Sequence, residues 1–418
     1  MKKITKEKYD VIVIGGGASG MMAAGTAGAN GKKVLLLEKN KTLGEKLRIT
    51  GGGRCNITNA TYDIRKFLSK FGDAEKHLYS TFSQFDIQNT FTFFEKRKLP
   101  LVIEARERVF PKSQSALDVF RVMEKYADNK NTDIFVESGV TKINVDKENK
   151  KVLSVETKGE VYTADNYIIS TGGSSHPETG STGDGFLWLQ AIGHTVIKPE
   201  PNIVPLRASD SWVKKLSGTS LSFMKITFFV ETQKAFALKG KVLFTHFGLS
   251  GPLILNAAKK VADLLHEGEV TAHIDCYPDT DTGSLERRIL AVFDTHKNKA
   301  FKNIIKEITP QGLHQTILDF RPIADPETKV HSISKEERKK LVHLLKGLPV
   351  HIEGLMGMDR AVISDGGVPL DEVDTKTMKS KLYNNLYLTG DILHINRPSG
   401  GYSLQLCWTT GYVAGKLQ

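Results

Sequence analysis

Residues 9–38 read YDVIVIGGGASGMMAAGTAGANGKKVLLLE, and this stretch decides the fold. Residues 9–14 are a short apolar run rich in β-branched side chains, which predicts a buried strand. Residues 15–17 form a turn, and 19–30 read as a helix. Its small residues recur at helical spacing, Ser19, Ala23 and Ala27 on one row and Gly20, Ala24 and Gly28 on the next. Such rows let a helix lie close against a sheet. Asn30-Gly31 ends the helix, and residues 33–38 form a second apolar strand. The result is a βαβ unit, whose crossover implies a parallel sheet. In its turn, Gly15 makes the tight bend, Gly17 lets a pyrophosphate approach the backbone, and Gly20 lets the helix pack on the strand. Ala18 and Ser19 begin the helix, whose free N–H groups and partial positive charge suit a phosphate. Glu38, eighteen residues after Gly20, would accept the ribose hydroxyls of an adenosine and disfavours a 2′-phosphate. Together these features predict that the chain binds the ADP half of a dinucleotide.

Three features further along favour FAD over NAD. Lys46, Arg48 and the run Gly51-Gly52-Gly53-Arg54-Cys55-Asn56 follow the second strand directly, a basic glycine-rich loop that lets backbone approach a flat anionic cofactor. Ser170-Thr171-Gly172-Gly173 ends another strand, and Gly180 to Gly185 opens another helix. Near the C-terminus, the strand 386–388 runs into Thr389-Gly390-Asp391. An acid at the carboxyl edge of a doubly wound sheet lies beside the cofactor, where it would hydrogen-bond the ribityl chain. Gly400-Gly401-Tyr402-Ser403 then starts the last helix, whose N-terminus would stabilise an anionic reduced flavin ring.

Composition sets the outer limits. The chain has 418 residues, 40% hydrophobic and 25% charged, so it is globular and long enough for two to three domains without a disulfide or metal staple. Three cysteines, Cys55, Cys276 and Cys407, show no CxxC spacing, which argues against a disulfide framework and against a metal site. The apolar run 11–14 is too short for a signal peptide, and no run of about 18 apolar residues would span a membrane. A cytoplasmic protein with no membrane partner is expected. The net charge is +11 with a pI near 9.2, a bias that a diphosphate cofactor partly explains.

Organisation follows from texture. Helical patterns occupy 65–70, 85–98 and 115–129. Strands are expected at 133–136, 140–145, 151–157, 160–163 and 167–170, the middle three as a meander. Beyond 195 come antiparallel strands at 194–198, 203–207, 225–231 and 241–245, a helix from Pro252, a charged helical zone over 283–346, and strands at 350–353 and 360–364. The expected fold class is α/β, with a discontinuous Rossmann-like FAD-binding domain (1–193 and 365–418). Into it is inserted a β-rich, barrel-like domain (194–270 and 325–364) carrying a helical subdomain (271–324).

The segments GGGASGMMAA (15–24), TGGGRCNITN (50–59), TGGSSHPETGSTGDG (171–185), FTHFGLSGP (244–252) and TGDILHINRPSGGYSLQLCW (389–408) resemble the YhiN/BaiN-type family of FAD-dependent oxidoreductases, the aminoacetone-oxidase-like flavoproteins. The resemblance runs nearly end to end. It implies the Rossmann-like domain and the barrel-like insert, and FAD contacts at Gly15, Gly17, Ser19, Gly20, Glu38, Lys39, Lys46, Arg54, Cys55, Asn56, Val140, Thr171, Gly172, Gly173, Asp391, Gly401, Tyr402, Ser403 and Leu404. Asn396-Arg397-Pro398 stands where a shorter, Gly-containing turn is usual. Members of the family are associated with reduction of unsaturated steroid-like substrates and with amine oxidation.

Three residues are candidates for chemistry beyond cofactor binding. Arg54 and Arg397 would hold a substrate anion. His246, before Gly248-Leu-Ser-Gly-Pro252, would serve as acid/base, since an imidazole pKa of about 6.5 suits proton transfer. Cys55 reads as a small residue packed by the flavin, and residues 335–340 as a solvated face. The leading expectation is hydride transfer through flavin N5, reducing an unsaturated or carbonyl small molecule. No second GxGxxG follows a strand, so NAD(P)H would dock transiently as donor. One alternative is an oxygen-dependent oxidase of a small amine such as an amino-ketone. Another is a flavoprotein acting on RNA, motivated by the +11 charge; aromatics are not interleaved with a basic stripe along the sequence, so no nucleic-acid partner is expected.

Overall fold

The computed structural model describes residues 3–418, with side chains from Lys8 onward; Met1 and Lys2, at the start of the expected first domain, lie outside the described residues. Strand Lys3–Ile14 is the centre of a nine-stranded sheet. Its last four residues, all buried, pair in parallel with Val34–Leu37 in the register Val11↔Val34 to Ile14↔Leu37. On the far side of Val34–Leu37 lies the parallel strand Thr132–Phe135. On the other flank of Lys3–Ile14 runs Glu160–Ile169, and beyond it Leu386–Leu388, both parallel. Four-residue strands this apolar are those of a sheet covered on both faces. The expected strands 160–163 and 167–170 are one strand, because its first half pairs with Lys151–Glu156 of the meander and its whole length with the N-terminal strand.

The first helix, Ala18–Ala29, packs more tightly than onto a sheet alone. A Cβ on Gly25 would meet the Tyr126 ring at 2.3 Å, and one on Gly28 the Asn129 amide at 2.5 Å. Those two glycines face helix Ala116–Ala127 and the residues just after it. On another side, Gly411 and Gly415 of the last helix, Tyr402–Gly415, lie against the Ser19 and Ala23 carbonyls. The small rows thus admit two neighbouring helices. A three-stranded antiparallel sheet of Thr58–Asn59, Arg108–Pro111 and Leu101–Glu104 follows the glycine-rich loop; its hairpin was not expected from the sequence, where residues 99–114 carry little alternation.

The chain divides into two compact units, one running up to Pro201 and resuming at Met358–Gln418, the other Asn202–Gly357. These boundaries differ from 193/194 and 364/365 because strand Ile197–Asn202 pairs with Ile363–Gly367. The second unit is a closed six-stranded barrel in the order Leu206–Ala208, Gly248–Ser250, Gln233–Thr245, Ser220–Val230, Val270–Asp275 and Leu348–Leu355. Val270–Asp275 straddles the expected boundary at 270/271, and helix Lys335–Lys346 lies with the helices rather than with the strands. Helices Thr282–Thr295 and Phe301–Ile308 share one hydrophobic core with the barrel strands, from Ile226 and Phe228 to Ile289 and Phe301. Barrel and helices are therefore one unit.

Candidate active site

Four parallel strands of the first unit end at one edge: Lys3–Ile14 at Gly15, Val34–Leu37 at Glu38, Glu160–Ile169 at Ser170 and Leu386–Leu388 at Thr389. In an open parallel sheet this carboxyl edge is the ligand-binding crevice. Side chains and backbone lock the four ends together. The Ser170 and Thr389 hydroxyls are 2.8 Å apart. A Cβ on Gly15 would lie 2.6 Å from the Ser170 carbonyl oxygen, and one on Gly390 2.7 Å from Ser19 Oγ. Gly390 donates its N–H to Thr410 Oγ1 at 3.0 Å, fixing the strand end to the last helix.

The cradle begins at Gly17. A Cβ there would meet nothing within 4 Å, whereas one on Gly20 would lie 1.8 Å from the Gly15 carbonyl oxygen. Helix Ala18–Ala29 has no side-chain cap and no acid in its first turn, so its leading N–H groups are left for a ligand. Glu38 is buried; its Oε2 accepts from Gly16 N–H at 2.7 Å and its Oε1 from Asn40 N–H at 2.8 Å. Each oxygen keeps a lone pair for a hydroxyl donor. The segment with Val140 is held beside this corner by Ser138 N–H donating to the Glu38 carbonyl at 2.8 Å. Lys39 Nζ reaches Thr182 Oγ1 at 2.5 Å and Asp184 at 2.8 Å, so it ties the second strand end to the Gly180–Asp184 turn.

Lys46 is the most confined cation of the site. Its Nζ donates to the Ser175 carbonyl at 2.6 Å and to Ser181 Oγ at 2.8 Å. Burial pushes its pKa down, and Asp391 opposes that shift. Arg48, two positions on, turns the other way, its guanidinium 3.9 Å from the centre of the Phe120 ring. Two residues on a helix are about 200° apart, so Lys46 and Arg48 do not present charge to one ligand, contrary to the expectation that paired them. Cys55 has φ 59° and is fully buried, and burial pushes its thiol up to about 12. It is a packed thiol, not a nucleophile. With its amide turned to satisfy both ends, Asn56 donates to the Thr58 carbonyl at 3.0 Å and accepts from Gly401 N–H at 3.0 Å, linking the glycine-rich loop to the last helix. The Thr171 hydroxyl is buried with no protein partner, and Gly172 takes φ +73° while Gly173 packs on Ser364 Oγ.

The last helix also starts without a side-chain cap or an acid in its first turn. Tyr402 packs on Phe67, ring centres 4.7 Å apart, while Ser403 and Leu404 are half-buried. Arg397 was expected to hold a substrate anion. Instead its side chain is 1% exposed and consumed by protein: it pairs with Asp391, donates to Ser403 Oγ at 3.2 Å, and caps the Ile395 carbonyl. It positions two strand-end and helix-start elements. Arg54 is likewise engaged; it pairs with Glu104, donates to Gln114 at 2.6 Å, and stacks 4.1 Å from the Phe110 ring centre. Its charge is met by a carboxylate, which removes the case for a free anion-binding arginine. His246 lies in the second unit, exposed, with its ring edge-on to Phe247. The turn after it is closed by Thr245 Oγ1, which accepts from Gly248 N–H at 3.1 Å. Sequence reasoning missed Ser175, Ser181 and Ser364, all within hydrogen-bonding reach of loop groups; the paired serines after Gly173 were the available signal.

The donor set fits a flavin dinucleotide: two uncapped helix N-termini, a buried lysine among hydroxyls, an orphaned buried threonine hydroxyl and an open cradle at Gly17. A Rossmann flavoprotein is the class this fold and site define. Residues 9–417 match the family model described as "HI0933-like protein Rossmann domain". The chain belongs to that family, and it is an FAD-dependent oxidoreductase. It is 28% identical over 414 residues, 97% of each chain, to "3-dehydro-bile acid delta(4,6)-reductase" of Clostridium scindens. It is 25% identical over 415 residues, 98% of each chain, to "Ribosomal RNA dihydrouridine synthase" of Escherichia coli. Among solved structures, 3-ketosteroid delta1-dehydrogenase of Sterolibacterium denitrificans superposes with a TM-score of 0.51 at 13% identity, covering 98% of this chain and 99% of that one, a likeness of fold. Among the described residues, no helix is long and apolar enough to cross a membrane.

Proposed function

We propose that the protein reduces a carbon–carbon double bond polarised by a neighbouring carbonyl, with FAD at the carboxyl edge of the sheet and NADH or NADPH docking transiently as donor. One observation carries the reaction: two relatives aligned over nearly the whole chain bear names that both describe hydrogen added across such a bond. When bound, FAD supplies hydride transfer at its N5. The protein supplies placement and electrostatics. The free N–H groups after Gly17 hold the diphosphate, and Glu38 takes the ribose hydroxyls through its remaining lone pairs. Lys46, Asn56 and Thr171 supply donors along the cofactor, and Asp391 accepts from the ribityl chain. The N-terminus of the last helix, from Gly401 to Leu404, faces negative charge on the ring with its partial positive end. His246 delivers the proton that the second carbon requires.

Anaerobic mixing of the FAD-loaded protein with NADH and with NADPH tests the donor. Bleaching of the yellow band by at least one of them is expected, and bleaching by neither sinks the reductase reading. A panel of enones, unsaturated bile-acid ketones and uridine then tests the acceptor. His246→Gln is expected to leave bleaching unchanged and to slow reoxidation by the acceptor by about 10²-fold. Peroxide formed in air from amino-ketones, with no acceptor turnover, would place the protein with the amine oxidases instead.

A further inference from the structure

The basic excess of the chain is not evenly spread. Residues 211–262 contain eight lysines and one acid, Glu231, a net +7 within a chain of +11. They build helix Ser211–Lys215, the barrel strands Ser220–Val230, Gln233–Thr245 and Gly248–Ser250, and helix Pro252–Leu265. In the long hairpin, Leu221 pairs with Val242 and Met224 with Gly240, all four buried, and the register shifts between them. The pleat therefore turns Lys239 and Lys241 outward, with Lys225 opposite Lys239 and the bulged residues Ser222 and Phe223 opposite Lys241. Lys239 is paired with Asp279 at 2.8 Å; among the described residues Lys225 and Lys241 have no ion-pair partner.

Phe223 is the anomaly of this face. Its side chain is 79% exposed and its φ is 59°. A bulky non-glycine residue in the left-handed region is strained, and strain of this kind gathers at functional positions. Along the sequence Phe223 and Lys241 are far apart; the hairpin sets them side by side. An aromatic ring beside unpaired cations on a sheet face is the combination that stacks a base and tracks its phosphates.

We propose that this outward face of the barrel hairpin binds a single-stranded nucleic acid, with one base stacked on Phe223 and neighbouring phosphates against Lys225 and Lys241. An anionic membrane would need several apolar side chains at one level, and Phe223 is the one large hydrophobic exposed among residues 211–262. The inference names a partner for the barrel and leaves the reaction proposed above unchanged.

The test uses the full-length, FAD-loaded protein and a fluorescein-labelled oligouridylate, read by anisotropy across a salt series. Saturable binding is expected at low salt, with log affinity falling linearly against log salt by about 0.7 per phosphate contact. Phe223→Ala is expected to weaken binding about 5- to 150-fold, the range for one lost stack. Lys241→Glu is expected to weaken it and flatten the salt slope. Phe223→Gly, which suits the left-handed backbone, keeps the strand folded and must lose affinity as Phe223→Ala does. Absence of saturable binding at low salt overturns the proposal, and so does unchanged affinity in the Phe223 and Lys241 variants. Binding to phosphatidylglycerol vesicles but not to RNA assigns the face to membranes and overturns it equally. Bleaching by NAD(P)H, measured on the same preparations, reports separately on the reductase reading.

Discussion

Gly17 and Gly20 stand in one turn and answer to different constraints. Gly20 is demanded by the fold, since its Cβ would sit 1.8 Å from a backbone oxygen; Gly17 has φ −76° and open space where a Cβ would go. Gly20→Ala is therefore expected to lower stability by about 1–3 kcal/mol, the usual cost of overpacking. Gly17→Ala should unfold like wild type, within about 0.5 kcal/mol, and bind FAD roughly tenfold or more weakly, the cost of about 1.5–3 kcal/mol for a lost contact to a charged group. Thermal melts of the apoprotein and FAD titrations separate the two; a stability loss at Gly17 matching that at Gly20 would refute the division. At this scale the motif was legible because βαβ spacing is local. The partners of Arg54 and Arg397 were not. Glu104 lies fifty residues from Arg54, and nothing in the sequence says that Arg397 is buried, so both read as free cations.

Elements reveal a clamp that no local pattern announced. His194 follows helix Asp184–Ile192 and was expected to open the inserted domain; its side chain is wholly buried in the first unit. Its Nδ1 lies 2.6 Å from Glu372 and its Nε2 2.9 Å from the Ser380 hydroxyl. Ser380 Oγ also accepts the N–H groups of Leu382 and Tyr383, at 3.0 and 3.1 Å. Neutral His194 satisfies this set by donating from Nδ1 and accepting at Nε2. Burial lowers its pKa against the pull of Glu372, whose own pKa is lowered by bonds from Thr195 and His194. A histidine with a lowered folded pKa takes up its proton more readily when unfolded. Its contribution is complete above the usual value of about 6.5 and is lost as pH falls through it. Glu372 acts in the same direction, its contribution lost as pH falls from the usual carboxylate range of about 4.3. The melting temperature is thus expected to hold between pH 8 and 7 and to fall from about pH 6.5 downward. His194→Gln should lower it at neutral pH and flatten the upper part of the decline; an unchanged slope in that variant would exclude His194 as its source. The partners lie more than 170 residues away in the chain, which is why strand and helix patterns were readable here and the contact was not.

The molecule as a whole carries two hydrophobic cores with no residue in common. One runs from Tyr9 and Val11 through Phe67 and Phe94 to Leu388 and Trp408, the other from Leu206 through Phe228 and Ile289 to Ile352. Every residue assigned above to FAD binding belongs to the first unit, although it is assembled from both ends of the chain. The change of texture beyond residue 195 was legible because long amphipathic strands replace short apolar ones. The closure of the barrel was not, because Val270–Asp275 sits between two helical segments and joins Ser220–Val230 to Leu348–Leu355 only in space. Separate cores predict separate melting. Two calorimetric transitions are expected, and FAD should act on one of them. At a free concentration 100 times its dissociation constant, a ligand specific for the folded form adds about 2.7 kcal/mol. That increment should raise the transition of the unit made of both termini and leave the barrel's transition in place. A single transition that moves as a whole would mean that the two cores unfold together, and the barrel would then be stabilised by a cofactor it does not hold.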